Sequence, residues 1–207
     1  MKRHWTPRYV VDRLSVMAYE KRRPDDPWLV RGAVDVIDHL LRPTDTGLEW
    51  GSGRSTSWLA PRLGHLTSVE DSPEWASQVS DRIAKDSLEE RVSYHLLSTE
   101  GDETSPYVRI VERFEDDSLD FCLVDGQLRE HCTKAVLPKL KCGSLLVIDN
   151  FNWHVPNPDG TRVPYSQTER DGPANEVWGE LWETSLSQYR RWWLSSGVTE
   201  TAVFIKS

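Results

Sequence analysis

An open α/β sheet with mostly parallel strands, helices on both faces and a terminal hairpin is predicted by three observations. Short apolar runs alternate with amphipathic stretches from Thr46 to about Asn150. Strand–helix–strand order of this kind implies right-handed crossovers and parallel neighbours. Two runs, Phe121-Cys122-Leu123-Val124 and Leu145-Leu146-Val147-Ile148, lack polar alternation, as expected of strands buried on both faces. The tail is different: Tyr189 to Ser195, Ser196-Gly197, then Thr201 to Lys206 has the pattern of two strands joined by a turn. In open sheets of this class ligands bind at the carboxyl ends of the strands, where strand order reverses.

The elements follow in order. Residues 6–20 and 27–41 carry helical periodicity, with Leu29, Val30, Ala33, Val34, Ile37, Leu40 and Leu41 on one stripe of the second. Arg23-Pro24-Asp25-Asp26-Pro27 breaks the two apart. Strands are expected at 46–50, 66–70, 92–97, 119–124 and 144–149. Helices are expected near 55–63, 73–86, 105–113 and 129–140. The 207 residues suit one domain, 1–207, with an N-terminal helical extension over 1–42. Pro156, Pro158, Gly160, Pro164, Gly172 and Pro173 mark a long connection, and residues 151–185 are expected to form a substrate lid or insertion.

Composition narrows the function. A formal charge of −8, from 25 basic and 33 acidic residues, disfavours a nucleic-acid partner. No apolar run approaches the roughly 20 residues of a membrane helix, so no membrane partner is expected. Met1-Lys2-Arg3-His4-Trp5 leads into polar residues rather than a secretory apolar region. Cys122, Cys132 and Cys142 fit neither a disulfide framework nor a zinc pair, and reduced thiols point to the cytoplasm.

Four segments carry chemistry. In Glu49-Trp50-Gly51-Ser52-Gly53-Arg54-Ser55-Thr56 a strand ends, two glycines turn, and a helix begins. Glycine lets backbone approach a ligand closely, and a helix start offers free N–H groups. A dinucleotide fingerprint would place a third glycine at Thr56, and Glu49 would repel a pyrophosphate. Glu49 suits a ligand bearing an ammonium group; a tight turn with no ligand is the plain alternative. Glu70 closes the second strand 21 residues later, at the spacing of an acid that accepts from ribose hydroxyls. Asp71 follows it, and Asp71-Ser72 also suits a helix cap ahead of Pro73. Asp125 ends the fourth strand, and Asp149-Asn150 end the fifth. Oxygen-bearing side chains from neighbouring strand ends can converge on Mg2+ or another divalent cation. Alternatively, Asp125 holds a substrate or cofactor group and Asp149-Asn150 caps a turn.

Together these segments, from Gly47 to Asn150, resemble class I S-adenosylmethionine-dependent methyltransferases. Glu49-x-Gly51-x-Gly53 matches the family's first motif and Glu70 its ribose-binding acid. The resemblance implies a Rossmann-like, seven-stranded sheet whose last strand is antiparallel, and S-adenosyl-L-methionine as cofactor. It implies cofactor contacts from Glu49, Gly51, Ser52, Gly53, Ser55, Thr56, Glu70, Asp71 and Asp125. The chain further resembles small O-methyltransferases of the catechol and caffeoyl-CoA type. That resemblance implies a metal held by Asp125, Asp149 and Asn150, and a small-molecule acceptor. Catechol-type enzymes place a lysine base soon after the first metal-binding acid; here Gly126-Gln127-Leu128-Arg129 follows, and the first lysine is Lys134. A bacterial group with an Asp-Gly-x-His-Arg motif is also similar, with Leu128 standing at its histidine.

Methyl transfer to oxygen needs alignment and proton removal. His154, just beyond Asp149-Asn150, is the candidate base, and Asp125 the second candidate catalytic group. His131 fits a helix surface better. The alternatives are a methyltransferase acting on nitrogen, protein or nucleic acid, and a non-catalytic cofactor-binding protein. The sequence lacks the Asn/Asp-Pro-Pro-aromatic tetrapeptide of amino-methylating enzymes. Of the ten tryptophans, Trp50, Trp75 and Trp153 are placed beside the site, and the rest, Trp5 included, are assigned to packing.

Overall fold

A computed structural model describes residues 6–161 and 163–207. Trp5 and the Lys2-Arg3 pair lie outside the described residues. The sheet has seven strands: β1 (Thr46–Trp50), β2 (His65–Glu70), β3 (Val92–Leu96), β4 (Leu119–Val124), β5 (Leu140–Asp149), β6 (Arg190–Ser195) and β7 (Glu200–Ile205). Their order is β3-β2-β1-β4-β5-β7-β6. β1 to β5 run parallel, and β7 pairs antiparallel with both β5 and β6. This is the predicted Rossmann-like α/β architecture, antiparallel strand included. Strand order reverses between β1 and β4, so the carboxyl ends of these two strands flank a crevice.

Alternation along each strand builds two cores. Leu48, Trp50, Cys122, Val124, Leu146, Ile148, Ala202 and Phe204 face one side, with Tyr107, Phe151 and Trp178 packed over them. Phe121, Leu123, Leu145, Val147 and Val203 face the other, beneath Ala33, Val34, Ile37 and Trp58. Successive side chains of a strand point to opposite faces, so both faces of the sheet are covered.

The helices are α1 (Pro7–Arg22), α2 (Arg31–Leu40), α3 (Arg54–Leu59), α4 (Pro73–Lys85), α5 (Pro106–Arg109), α6 (Arg129–Val136) and α7 (Glu176–Thr184). Thr6 caps α1 by accepting from the Tyr9 N–H at 3.1 Å, and Pro7 opens it. No residue of α1 is buried, although its periodicity predicted a helix. α2 starts four residues later than expected, because Pro27–Val30 is non-helical, with bends at Trp28 and Leu29; Leu29 and Val30 are still buried there. α3 ends earlier than expected, just ahead of Pro61. α6 gives way to a 3-10 turn at Leu137–Lys139, where Pro138 lacks an N–H. The stretch predicted as one helix at 105–113 divides into α5 and a 3-10 turn, Ile110–Arg113. Trp192 and Trp193 point to opposite faces as expected: Trp192 is exposed, and Trp193 meets Phe151 with ring centroids 4.9 Å apart.

Candidate functional site

The glycine turn after β1 is built by close approach of two backbones. Gly51 has φ +88°, and a Cβ there would lie 2.6 Å from the Gly126 nitrogen. The loops after β1 and β4 therefore touch with no side chain between them. The Asp125 N–H donates to the Trp50 carbonyl at 2.9 Å and locks the contact. Gly126 in turn lies under the Tyr107 hydroxyl, which a Cβ would meet at 1.9 Å. Gly53 leads into α3 in extended conformation, and its N–H donates to Thr56 Oγ1 at 3.0 Å.

Glu49 lies below this turn and is fully buried. Its Oε2 accepts from the Thr56 and Ser68 hydroxyls, both at 2.7 Å. Its Oε1 is buried with no hydrogen-bond partner. Burial pushes the carboxyl up to about 7, and the Ser55, Thr56 and Ser68 hydroxyls only partly offset it.

Glu70 closes β2 with every lone pair directed at a donor. Oε2 accepts from Ser52 N–H at 3.1 Å and Ser52 Oγ at 2.7 Å; Oε1 accepts from the Asp71 and Ser72 N–H groups, both at 3.0 Å. The Ser52 hydroxyl also meets the Tyr94 hydroxyl at 2.8 Å. The helix-cap reading of Ser72 holds too, since Ser72 Oγ accepts from Trp75 N–H at 3.3 Å. Asp71 stands beside Glu70, and its own carboxyl is raised by burial and by the Glu70 charge.

Gly51, Ser52, Glu70, Asp71, Trp75, Asp125 and His154 line one cleft of about 740 Å3 at the carboxyl edge. Glu49, Gly53, Ser55 and Thr56 do not line it; Glu49 and Gly53 are instead joined through the Thr56 hydroxyl. Trp75 reaches the cleft as predicted, with its indole N–H donating to the Ser52 carbonyl at 2.6 Å. Trp153 also lines it, 44% exposed. Trp50 does not: it is wholly buried and donates to the Tyr107 carbonyl at 2.8 Å, so it is a core residue rather than a flanking one. A second cavity of about 440 Å3, walled by Tyr19, Trp28, Asn150 and Trp153 among others, shares Trp153 with the cleft.

Asp125, Asp149 and Asn150 converge as predicted, but around the guanidinium of Arg129. Arg129 Nη2 donates to Asp125 Oδ1 at 2.9 Å and to the Asp125 carbonyl at 2.8 Å. Nη1 donates to the Asp149 carbonyl and to Asn150 Oδ1, and Nε to the Gly126 carbonyl at 2.9 Å. Asp149 Oδ1 is taken by the Thr201 hydroxyl, and the Asn150 amide donates to Thr199 Oγ1. Among the described residues no group of three or more His, Cys, Asp or Glu is placed to hold a metal ion. As arranged, these three residues do not fit a divalent cation, because Asp125 Oδ1 and Asn150 Oδ1 face a guanidinium and Asp149 Oδ1 faces the Thr201 hydroxyl. Burial raises both carboxyls, and for Asp125 the neighbouring Asp149 charge adds to it while Arg129 opposes.

His154 stacks on Trp178 with ring centroids 4.8 Å apart, and its Nε2 is buried without a partner. Burial, helped by the Arg129 charge, lowers it to about 4, so the imidazole is neutral near pH 7. His131 sits on α6, with Nδ1 4.0 Å from Glu103. Within 151–185, Gln167 N–H and Ala174 N–H tie the loop to the Asn152 and His154 carbonyls at 2.8 Å each. The sequence assigned no site role to Arg129, Tyr94, Ser68 or Thr201. The one available signal was the strand-end position of Asp125 and Asp149, which demands a nearby cation.

A strand-order reversal with a glycine turn and two strand-end acids is the ground plan of the class I methyltransferases, and the chain has their fold. No protein-family model and no curated protein sequence matches it. Solved structures do. An O-methyltransferase from Bacillus cereus in complex with SAH superposes with a TM-score of 0.58 at 15% identity, covering 95% of this chain and 91% of that one. A Staphylococcus aureus protein described as a candidate caffeoyl-CoA O-methyltransferase gives 0.59 at 18%, covering 97% and 98%. An rRNA methylase from Streptococcus thermophilus gives 0.57 at 12%, covering 83% and 92%. Among the described residues no helix is long and apolar enough to cross a membrane.

Proposed function

We propose that this chain is an S-adenosyl-L-methionine-dependent methyltransferase that methylates a hydroxyl of a small molecule. The observation that carries the reading is the cleft at the strand-order reversal, where the Gly51 turn sits over the unpartnered Glu49 Oε1 and beside Glu70. A buried carboxylate oxygen without a donor suits the ammonium of a methionine moiety. Glu70 suits a ribose, whose hydroxyls would replace the Ser52 Oγ donor. Trp75 offers an indole face to the adenine. The adjoining 440 Å3 cavity is of a size for a small acceptor, whose hydroxyl would enter past Trp153. A net charge of −8 favours that acceptor over an RNA.

The sulfonium is already activated, so the protein's work is in-line alignment and proton removal. Asp125 bounds the cleft where the loops of β1 and β4 meet, and His154 bounds its other side. The neutral His154 imidazole is the proton acceptor in this reading. His154→Ala is expected to lower kcat about 10²–10⁴-fold; unchanged kcat removes His154 from the mechanism. Residues 151–185 act as the lid, through Trp153 and His154. Limited proteolysis should show the loop protected once S-adenosylhomocysteine is bound, and identical cleavage in both states would sink the lid.

Calorimetry with S-adenosylhomocysteine and with NAD tests the cofactor. Binding of the first alone supports the reading; binding of NAD alone ends it. Turnover on a panel of hydroxylated small molecules, with RNA as the competing arm, then tests the acceptor.

A further inference from the structure

The Arg129 side chain lies in the wall of the cleft, with only 14% of it exposed. All five of its N–H groups are used, and every acceptor is an oxygen: two from Asp125, and one each from Gly126, Asp149 and Asn150. An all-oxygen shell drawn from two adjacent strand ends is the environment a hard divalent cation takes. Here a fixed organic cation has it. The chain bends to allow this. Leu128 and Asn150, the residues that turn away from β4 and β5, have φ of +48° and +50°. Left-handed backbone is disfavoured for leucine and better tolerated by asparagine, so the Leu128 turn above all must be held from outside. The guanidinium holds the Asp149 carbonyl just before Asn150 and the Asp125 and Gly126 carbonyls ahead of Leu128.

We propose that Arg129 occupies the cation position of this site, so that the protein excludes a divalent metal and uses the guanidinium to join the ends of β4 and β5. Arg129 is thereby a positioning residue: with no N–H left over, it orients Asp125 and the Asn150 turn rather than binding the acceptor. The inference takes its catalytic meaning from the methyltransferase reading above, but it is tested without any cofactor.

The experiment is titration of Mn2+ into the full chain, read by the electron paramagnetic resonance signal of the free hexa-aquo ion. For the unaltered protein the signal is expected to stay that of free Mn2+ at millimolar metal. Arg129→Ala, which removes the guanidinium and retains the Asp125, Asp149 and Asn150 side chains as oxygen donors, is expected to bind Mn2+ at least tenfold more tightly. Arg129→Gln, closer in size, guards against loss of fold, with circular dichroism checking both variants. Stoichiometric Mn2+ uptake by the unaltered protein overturns the proposal. So does a folded Arg129 variant that gains no affinity. S-adenosylhomocysteine calorimetry on the same unaltered sample separates the two readings: failure there falls on the cofactor assignment and leaves the metal result standing.

Discussion

Glu49→Gln is expected to change cofactor binding and stability in opposite directions. In the proposed reading Glu49 accepts from the methionine ammonium, and losing a charge-assisted hydrogen bond of that kind removes roughly 1.5–3 kcal/mol, which is about 10–100-fold in affinity. Calorimetry with S-adenosylhomocysteine reads this directly. The unliganded protein should behave the other way. The Glu49 carboxyl is held at about 7 against an ordinary 4.5, because burial penalises its charge. A carboxyl raised by folding binds more protons in the native state than in the unfolded one. Its contribution therefore favours folding most below about 4.5 and declines as pH rises to about 7. The glutamine variant has no such loss. Its melting temperature relative to the parent should climb across that window and level off above it. The pH-dependent part is on the order of 3 kcal/mol. A parallel pair of melting curves from pH 4 to 8 would show that the group is not buried as described. In the parent, binding should strengthen over the same window, since the ammonium favours the ionised acid.

The second large effect belongs to Gly51→Ala. The added Cβ would lie 2.6 Å from the Gly126 nitrogen and 2.8 Å from the Asp125 carbonyl carbon, both backbone atoms with no side-chain rotamer to relieve the clash. The φ of +88° adds backbone strain, about 1–3 kcal/mol by itself. The loops after β1 and β4 must separate, which displaces Ser52 and Asp125 together. Loss of detectable S-adenosylhomocysteine binding is expected, along with a lower denaturation midpoint. Gly143→Ala is the control: its φ is also positive, but nothing lies within 4 Å of the added carbon. It should cost stability without touching affinity. Full binding by Gly51→Ala would mean the two loops do not meet as described.

The sheet was legible because its code is local. Runs such as Leu145 to Ile148 declare burial on both faces, and Gly51, Glu70 and Asp125 sit where strands stop. What escaped depends on how separated elements meet. Spacing brings Asp125 and Asp149 to one edge, but it cannot say that Arg129, on the first turn of α6, folds back between them. Nor can it say that Trp50, inside the glycine motif, points down into the core while Trp75 reaches the cleft. α1 has the periodicity of a packed helix, yet Val11, Leu14 and Met17 are exposed. Periodicity reports a face and not what covers it. Glu70 shows a subtler limit: its position was readable, while its saturation by Ser52, Asp71 and Ser72 followed only from the turn geometry.

The antiparallel β7 has a bearing on synthesis. It lies between β5 and β6 and is buried over nearly its whole length, yet it is the last of the seven strands to be made. Until it arrives, β5 presents an open edge of unpaired peptide groups, and β6 has no neighbour at all. Open edges of this kind are templates for intermolecular pairing. The join between Leu145 and Ile205 also spans some sixty residues, and long-range pairing of that sort is slow. A nascent chain with β1 to β5 complete is thus a half-closed sheet awaiting one insertion, and the interval before that insertion is when the protein is most exposed to aggregation.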